Sequence, residues 1–115
     1  MKNAAIQIQT DLTADTALQA LVDGEQYWEL APDNTKVPYI TYRITENQQA
    51  SKDRRGDYDV ELWCFEKRLT DAAELSDLVK DAMDKNPYRF RGAQSGYVDD
   101  DTKEGFIKLI YNFKL

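Results

Sequence analysis

The feature of this sequence that most constrains the fold is residues 57–66, where every second side chain, Tyr58, Val60, Leu62 and Cys64, is apolar and the positions between them begin with three carboxylates. Such alternation is typical of a β-strand with one buried face, because successive side chains point to opposite sides. Residues 105–115 alternate in the same way, and so do residues 37–45 once Pro38 has opened the segment. Three long strands with one apolar face each predict a sheet that other elements must cover on one side.

A short amphipathic helix is predicted over residues 17–22, just after Thr13, which is a candidate N-cap. Gly24 follows as a stop signal. The apolar positions of this helix are Ala17, Leu18, Leu21 and Val22. Residues 4–10 fit either a strand or a helical arm, and the helical pattern beside them favours the arm.

The most regular helical stripe lies between the alternating segments. It begins with a capping-box pattern, Asp71 and Glu74, and it ends at Asn86-Pro87 because proline cannot continue the hydrogen-bond ladder. Its apolar positions are Ala72, Leu75, Leu78, Val79, Ala82 and Met83. Residues 27–30 and 88–98 are predicted as two further strands.

This order of elements predicts an α+β fold: an antiparallel sheet of about four strands with two or three helices packed on one face. A chain of 115 residues, 42% hydrophobic and 31% charged, is expected to form one domain spanning residues 1–115. The longest uncharged stretch is too short to cross a bilayer, so we expect a soluble protein that is not exported and has no membrane partner. The net charge of −6 disfavours specific or sequence-independent nucleic-acid binding.

The side chains available for chemistry are few. The chain has no histidine, which excludes the common activated serine and cysteine nucleophiles and every histidine metal ligand. Its single cysteine, Cys64, lies on the apolar face of a strand and is expected to be an inert buried thiol. The five glycines match no phosphate-binding loop. We therefore expect no cofactor, no metal and no catalytic site.

The second face of residues 57–66 carries five candidate interface residues. Asp57, Asp59 and Glu61 are spaced for carboxylate catalysis or a metal, but like charges in a row are more typical of a solvated or subunit-facing surface. Trp63 and Phe65 follow on the same face. These two large rings fit either the core of an interface or packing beneath the first helix.

Three further candidates lie in the polar segment 46–56, which is predicted to be a long hairpin loop, mobile in the free subunit. Lys52, Arg54 and Arg55 make it basic in an otherwise acidic chain. A basic run in a loop is usually solvated, and its alternative role is to contact phosphates or the carboxylates of a partner.

Four segments follow one another in an order and spacing that resemble a known family. They are the helix ALQALVDG at 17–24, the strand VPYITYRI at 37–44, the strand VELWCF at 60–65 running into the helix TDAAELSDL at 70–78, and the aromatic strand at 106–113. Over residues 11–115 the chain resembles the tail-completion proteins of long-tailed phages and prophages. That family includes tail terminators and tail-to-head joining proteins.

The resemblance implies a structural subunit, not an enzyme, that forms a homo-oligomeric ring, typically a hexamer. Such a ring terminates the tail tube and joins it to the capsid, with the tail tube protein and a head-completion or connector protein as partners and with DNA passing through the ring. It implies assembly in the cytoplasm of the bacterial host and a final place in the virion tail. The alternatives are another ring-forming tail-tube or head-connector component, or a small metal enzyme built on Asp57, Asp59 and Glu61.

Overall fold

The computed structural model describes residues 1–47, 56–98 and 104–115. Within these ranges the chain forms three helices and five strands, and the strands make one sheet in the order β1-β2-β3-β5-β4. The elements are α1 (Lys2–Ala14), α2 (Thr16–Val22), β1 (Gln26–Trp28), β2 (Tyr39–Asn47), β3 (Asp57–Glu66), α3 (Leu69–Asp84), β4 (Arg89–Tyr97) and β5 (Gly105–Lys114). The predicted α+β fold class is confirmed.

The sheet differs from the prediction in one pairing. β2, β3, β5 and β4 are antiparallel neighbours, as expected, but β1 is a fifth strand and pairs parallel to β2. The connection at 29–38 returns the chain to the same end of the sheet, and Glu29 and Asn34 adopt positive φ values within it. Alternation shows which side chains share a face but not the direction in which a strand pairs, so the sequence pattern does not reveal this pairing.

The helices of the described ranges all pack on one face of the sheet, where the core lies. α1 contributes Ile8 and Leu12, and α3 contributes Leu75, Val79 and Met83, each fully buried. They meet fully buried strand residues in a single cluster that includes Ile40, Val60, Leu62, Cys64 and Tyr111. Burial raises the pKa of the Cys64 thiol well above its usual value, in line with the expected inert thiol. None of the described helices is long and apolar enough to span a membrane.

The helical alternative for residues 4–10 is confirmed, but the predicted cap that follows is wrong. α1 runs on through Thr13, whose hydroxyl accepts a hydrogen bond from the side chain of Gln26. Asp15 caps α2 instead: its Oδ1 accepts from the backbone N–H of Leu18 at 2.9 Å, and its Oδ2 accepts from Lys85 Nζ at 2.8 Å. Thr13 is unavailable as a cap because its own backbone is already helical.

The predicted capping box of α3 is also wrong. The helix begins at Leu69, two residues before Asp71, and its N-cap, Arg68, makes no side-chain capping bond. The Asp71 carboxylate still lies in the first turn, where its negative charge interacts favourably with the positive end of the helix dipole. Gly105 of β5 allows this early start, because a Cβ there would lie 2.6 Å from Leu69 Cα. Close contact with the sheet thus sets where the helix begins.

The ion pair of Asp15 predicts a pH dependence of stability. The Lys85 ammonium, followed by the Leu18 N–H, lowers the pKa of the buried Asp15 carboxyl. A pKa lowered on folding stabilises the protein above the carboxyl's unfolded pKa of about 3.9, and that contribution is lost as pH falls through the folded pKa. Asp15→Ala should cost about 1 to 2 kcal/mol of unfolding free energy near neutral pH.

Urea unfolding of both proteins near neutral pH and at about pH 2 measures this difference, which should shrink in acid because the wild-type carboxyl is then protonated. Asp15→Asn is the matched control, since asparagine is also a good N-cap but cannot ionise. Its unfolding free energy should change less with pH than that of the wild type. An equal gap between Asp15→Ala and wild type at both pH values would contradict the assignment.

Candidate assembly interface

The five candidate residues of β3 lie together on the sheet face opposite the helices, which we call the open face. Alternation along β3 predicts this grouping, and the side chains of Trp63 and Phe65 are half-buried there. Packing of these rings beneath the first helix, the alternative interpretation, is wrong because α1 buries its apolar side in the core on the other face. Lys52, Arg54 and Arg55, with most of the predicted loop, lie outside the described residues.

Trp63 and Phe65 belong to a cluster of four rings that we call the aromatic patch: Tyr39, Trp63, Phe65 and Phe106. Ring centroids are 4.7 Å apart for Tyr39 and Phe65 and 5.0 Å apart for Trp63 and Phe106. Strand register explains the cluster, because Phe65 pairs with Tyr39 on β2 and with Phe106 on β5. Sequence reasoning missed Tyr39 and Phe106, since each is the only aromatic residue on its face of its own strand until pairing brings it beside β3.

A groove of about 440 Å³ runs between the aromatic patch and the loop that follows β1. Its lining includes Leu30, Pro32, Tyr39, Thr41, Trp63 and Phe65. Leu30 is 81% exposed, so the loop presents an apolar side chain beside half-buried rings. Glu29 and Arg43 also line the groove, where they form an exposed ion pair with a separation of 3.5 Å.

Lys108 of β5 joins the aromatic patch to the carboxylates. Its Nζ lies 5.1 Å from the centroid of the Trp63 ring and 3.7 Å from Glu61 Oε2. The ammonium therefore interacts with the π face of the indole while it pairs with a carboxylate. Lys108 thus fixes the positions of Trp63 and Glu61 at the centre of the open face, and it adds no apolar cover over the Trp63 ring.

Asp57 and Asp59 are held by amides. Asn112 Nδ2 donates to Asp57 Oδ1 at 2.8 Å and to Asp59 Oδ1 at 2.9 Å, and Asn47 Nδ2 donates to Asp59 Oδ2 at 3.0 Å. Across residues 1–47, 56–98 and 104–115, no group of three or more aspartate, glutamate, cysteine or histidine side chains is placed to hold a metal ion. The open face therefore carries ordered carboxylates beside the aromatic patch, an arrangement suited to binding a protein partner.

The family model described as tail completion protein gp17 matches residues 6–110. The chain belongs to this family. The resemblance found in the sequence is thereby confirmed, and this tail completion protein has a structural role in phage tail assembly.

The fold of the tail completion protein is similar to that of a chain in a solved structure titled "Virion of native gene transfer agent (GTA) particle". The TM-score is 0.69 at 15% sequence identity, and the match covers 93% of this chain and 90% of that chain. Two chains this different in sequence share a fold. Comparison with curated protein sequences gave no match.

Proposed function

We propose that this tail completion protein forms a closed homo-oligomeric ring, a hexamer, that terminates the tail tube and joins it to the capsid. One observation carries the proposal: the open face presents half-buried rings beside ordered carboxylates, and no described element covers them. Apolar surface of this kind on a subunit marks a protein–protein contact. The family match supports a role in the tail.

The proposed role is structural, with no catalysis. Asp57 and Asp59 accept hydrogen bonds from Asn112 and Asn47, so the carboxylates most suited to acid–base work are already bound by neutral amides. Cys64 is fully buried, and its raised pKa keeps the thiol protonated. We propose that these groups maintain structure and surface charge.

The acidity of the chain suits a ring through which DNA passes. A net charge of −6 on each subunit repels phosphates, so duplex DNA can slide without sticking. The proposed partners are further copies of the chain, the tail tube protein and a head-completion or connector protein. Assembly in the host cytoplasm and a final place in the virion tail follow from this role.

Lys52, Arg54 and Arg55 are proposed to contact the carboxylates of a neighbouring subunit or an acidic patch on the tube. Asp57, Asp59 and Glu61 on the open face are the candidate acceptors. Such exposed contacts contribute about 0.2 to 1 kcal/mol each and weaken as salt rises. A ring repeats them in every subunit.

Arg54→Glu combined with Arg55→Glu is therefore expected to impair ring closure or docking, most strongly at low salt, while the melting temperature of the subunit stays unchanged. Sedimentation of the protein with tail tubes at several salt concentrations measures the effect. Lys67→Glu with Arg68→Glu, the same charge change at two adjacent exposed residues between β3 and α3, is the control for net charge. Normal assembly of the Arg54/Arg55 variant would contradict these contacts and favour the alternative that the basic run is only solvated.

The proposed function is tested by the mass of the purified protein alone and with tail tubes, together with electron-microscope images of the mixture. We expect rings on one end of the tubes. A monomer in the absence of tubes is compatible with the proposal if tubes induce assembly. Failure to assemble in the presence of tubes would overturn the proposal, and binding to capsids without binding to tubes would identify a head-connector component instead.

A further inference from the structure

We propose that neighbouring subunits meet edge to edge, with β4 of one subunit beside β1 of the next, so that the sheet continues from copy to copy. This inference rests on the proposed ring and specifies its subunit contact. The occupant of each sheet edge is a second copy of this chain. The argument uses exposed apolar side chains, strand register and charge.

Exposed apolar side chains concentrate at the two edges of the sheet. Among the described residues, nine large hydrophobic side chains are exposed, and five of them flank the edge strands. Trp28 (44% exposed) and Leu30 (81%) lie at the β1 edge, and Phe90 (40%), Tyr97 (55%) and Val98 (50%) lie at the β4 edge. Sheet edges of a monomer are normally protected by charge or cover, so exposed apolar side chains at both edges indicate that both are paired in the assembly.

The exposed rings of the two edges lie on the same side of the sheet. Register links one row of residues across all five strands: Trp28, Tyr42, Leu62, Leu109 and Ala93. Tyr42 and Leu62 face the helices, so Trp28 at one end of the row and Ala93 at the other face the same way. Phe90 and Tyr97 pair with Tyr111 and Gly105 and lie on that side too.

Continuation of the sheet brings these side chains together. Without a shift in register, Trp28 of the next subunit lies opposite Ala93, a small exposed side chain that has Phe90 and Ser95 as its neighbours on the same side of β4. The strand directions also fit, because β1 runs parallel to β2 whereas β4 runs opposite to it across the three antiparallel pairings. The new pair is therefore antiparallel, the pairing that is slightly more stable per residue.

The charges of the two edges are opposite. Arg89 and Arg91 of β4 are exposed and make no ion pair with any described residue. Glu25 and Glu29 flank β1, and Glu29 lies with Arg43 on the open face. Arg91 lies on the same face, beside Asp59 and Glu61. Opposite charges at the two ends of one sheet favour a head-to-tail contact over pairing of like edges.

A head-to-tail contact has the symmetry that a ring needs. Its two surfaces differ, so each subunit can donate one edge and accept the other until the ring closes. The aromatic patch in the middle of the open face takes no part in this contact and stays available for the tube or the capsid.

The experiment places a cysteine on each edge within one cross-sheet row. Tyr27 and Gln94 end the row that runs through Thr41, Trp63 and Lys108. In Tyr27→Cys with Gln94→Cys, mild oxidation of the protein assembled on tail tubes should give a ladder of disulfide-linked oligomers, because paired strands bring Cα atoms within disulfide reach. Either single variant should give no ladder, and Tyr27→Cys with Asp77→Cys, whose second cysteine lies on α3, is the geometric control.

A second variant measures affinity. Trp28→Ala should weaken assembly at least about tenfold, as for a central interface tryptophan. Leu21→Ala, which removes an equally exposed apolar side chain (39%) from α2, should leave assembly unchanged. Melting curves of both variants confirm that the subunits are folded.

The outcomes separate this inference from the proposed function. Rings on tubes without the 27/94 ladder and with normal assembly of Trp28→Ala would overturn the edge contact and leave the ring standing. Failure of the wild type to assemble on tubes would overturn both. The ladder together with weakened Trp28→Ala assembly would establish the edge contact.

Discussion

Trp63→Ala is expected to remove assembly on tail tubes while the subunit remains folded. Trp63 is half-buried on the open face, 5.0 Å from Phe106 and in contact with Lys108, and it faces away from the helices. A tryptophan buried at an interface contributes about 2 to 4 kcal/mol, so its truncation weakens each contact at least about 30-fold. Loss of the ring contacts within the subunit costs only about 0.5 to 1.5 kcal/mol for each pair.

Pelleting of the variant with tail tubes measures assembly, and urea unfolding under monomeric conditions measures subunit stability. Leu62→Ala is the matched contrast, because Leu62 is the preceding residue of the same strand and is fully buried in the core. It should lower the unfolding free energy by about 2 to 5 kcal/mol. If Trp63→Ala lost that much stability and still assembled normally, the aromatic patch would be part of the subunit's own packing.

Gly105→Ala is expected to be the most destabilising single-methyl change in the described sheet. Its Cβ would lie 2.6 Å from Cα and 2.7 Å from N of Leu69, and these backbone atoms cannot rotate away. The first turn of α3 would have to move off β5, at a cost of about 3 kcal/mol or more. The midpoint of urea unfolding, followed by circular dichroism, measures the loss.

Gly96→Ala is the matched control for that change. Its Cβ would lie 2.8 Å from the tip of the Phe106 ring, and a ring can tilt away from the contact. We expect a loss of about 1 kcal/mol, with a shift in the aromatic patch. A loss below about 1 kcal/mol for Gly105→Ala would mean that the start of α3 is not held against the sheet at this point.

Helix boundaries show where sequence reasoning stops. The capping-box pattern at Asp71 and the candidate cap at Thr13 each predict a helix start close to a real one. The structure, however, begins α3 at Leu69 and caps α2 with Asp15. In each case a distant residue decides. Gly105 admits the early turn of α3, and Lys85, 70 positions along the chain, binds the carboxylate that caps α2.

The order of residues is enough to predict which side chains share a strand face. Alternation has a period of two, a property of neighbouring residues alone, so Asp57, Asp59, Glu61, Trp63 and Phe65 were predicted together and lie together. It also determined the long helix α3 and the α+β class, since the apolar stripe and the order of elements are local as well.

What surrounds those residues depends on the folding of the whole chain. The parallel pairing of β1, the placement of the helices on the face away from Trp63, and the meeting of Tyr39 and Phe106 with Phe65 depend on hydrogen bonds between strands far apart in the chain. The same holds for Asn112, which lies 55 residues from Asp57 and yet binds its carboxylate. Register between strands is set by the packing of the whole core, so no local pattern encodes which polar and aromatic side chains meet on the open face.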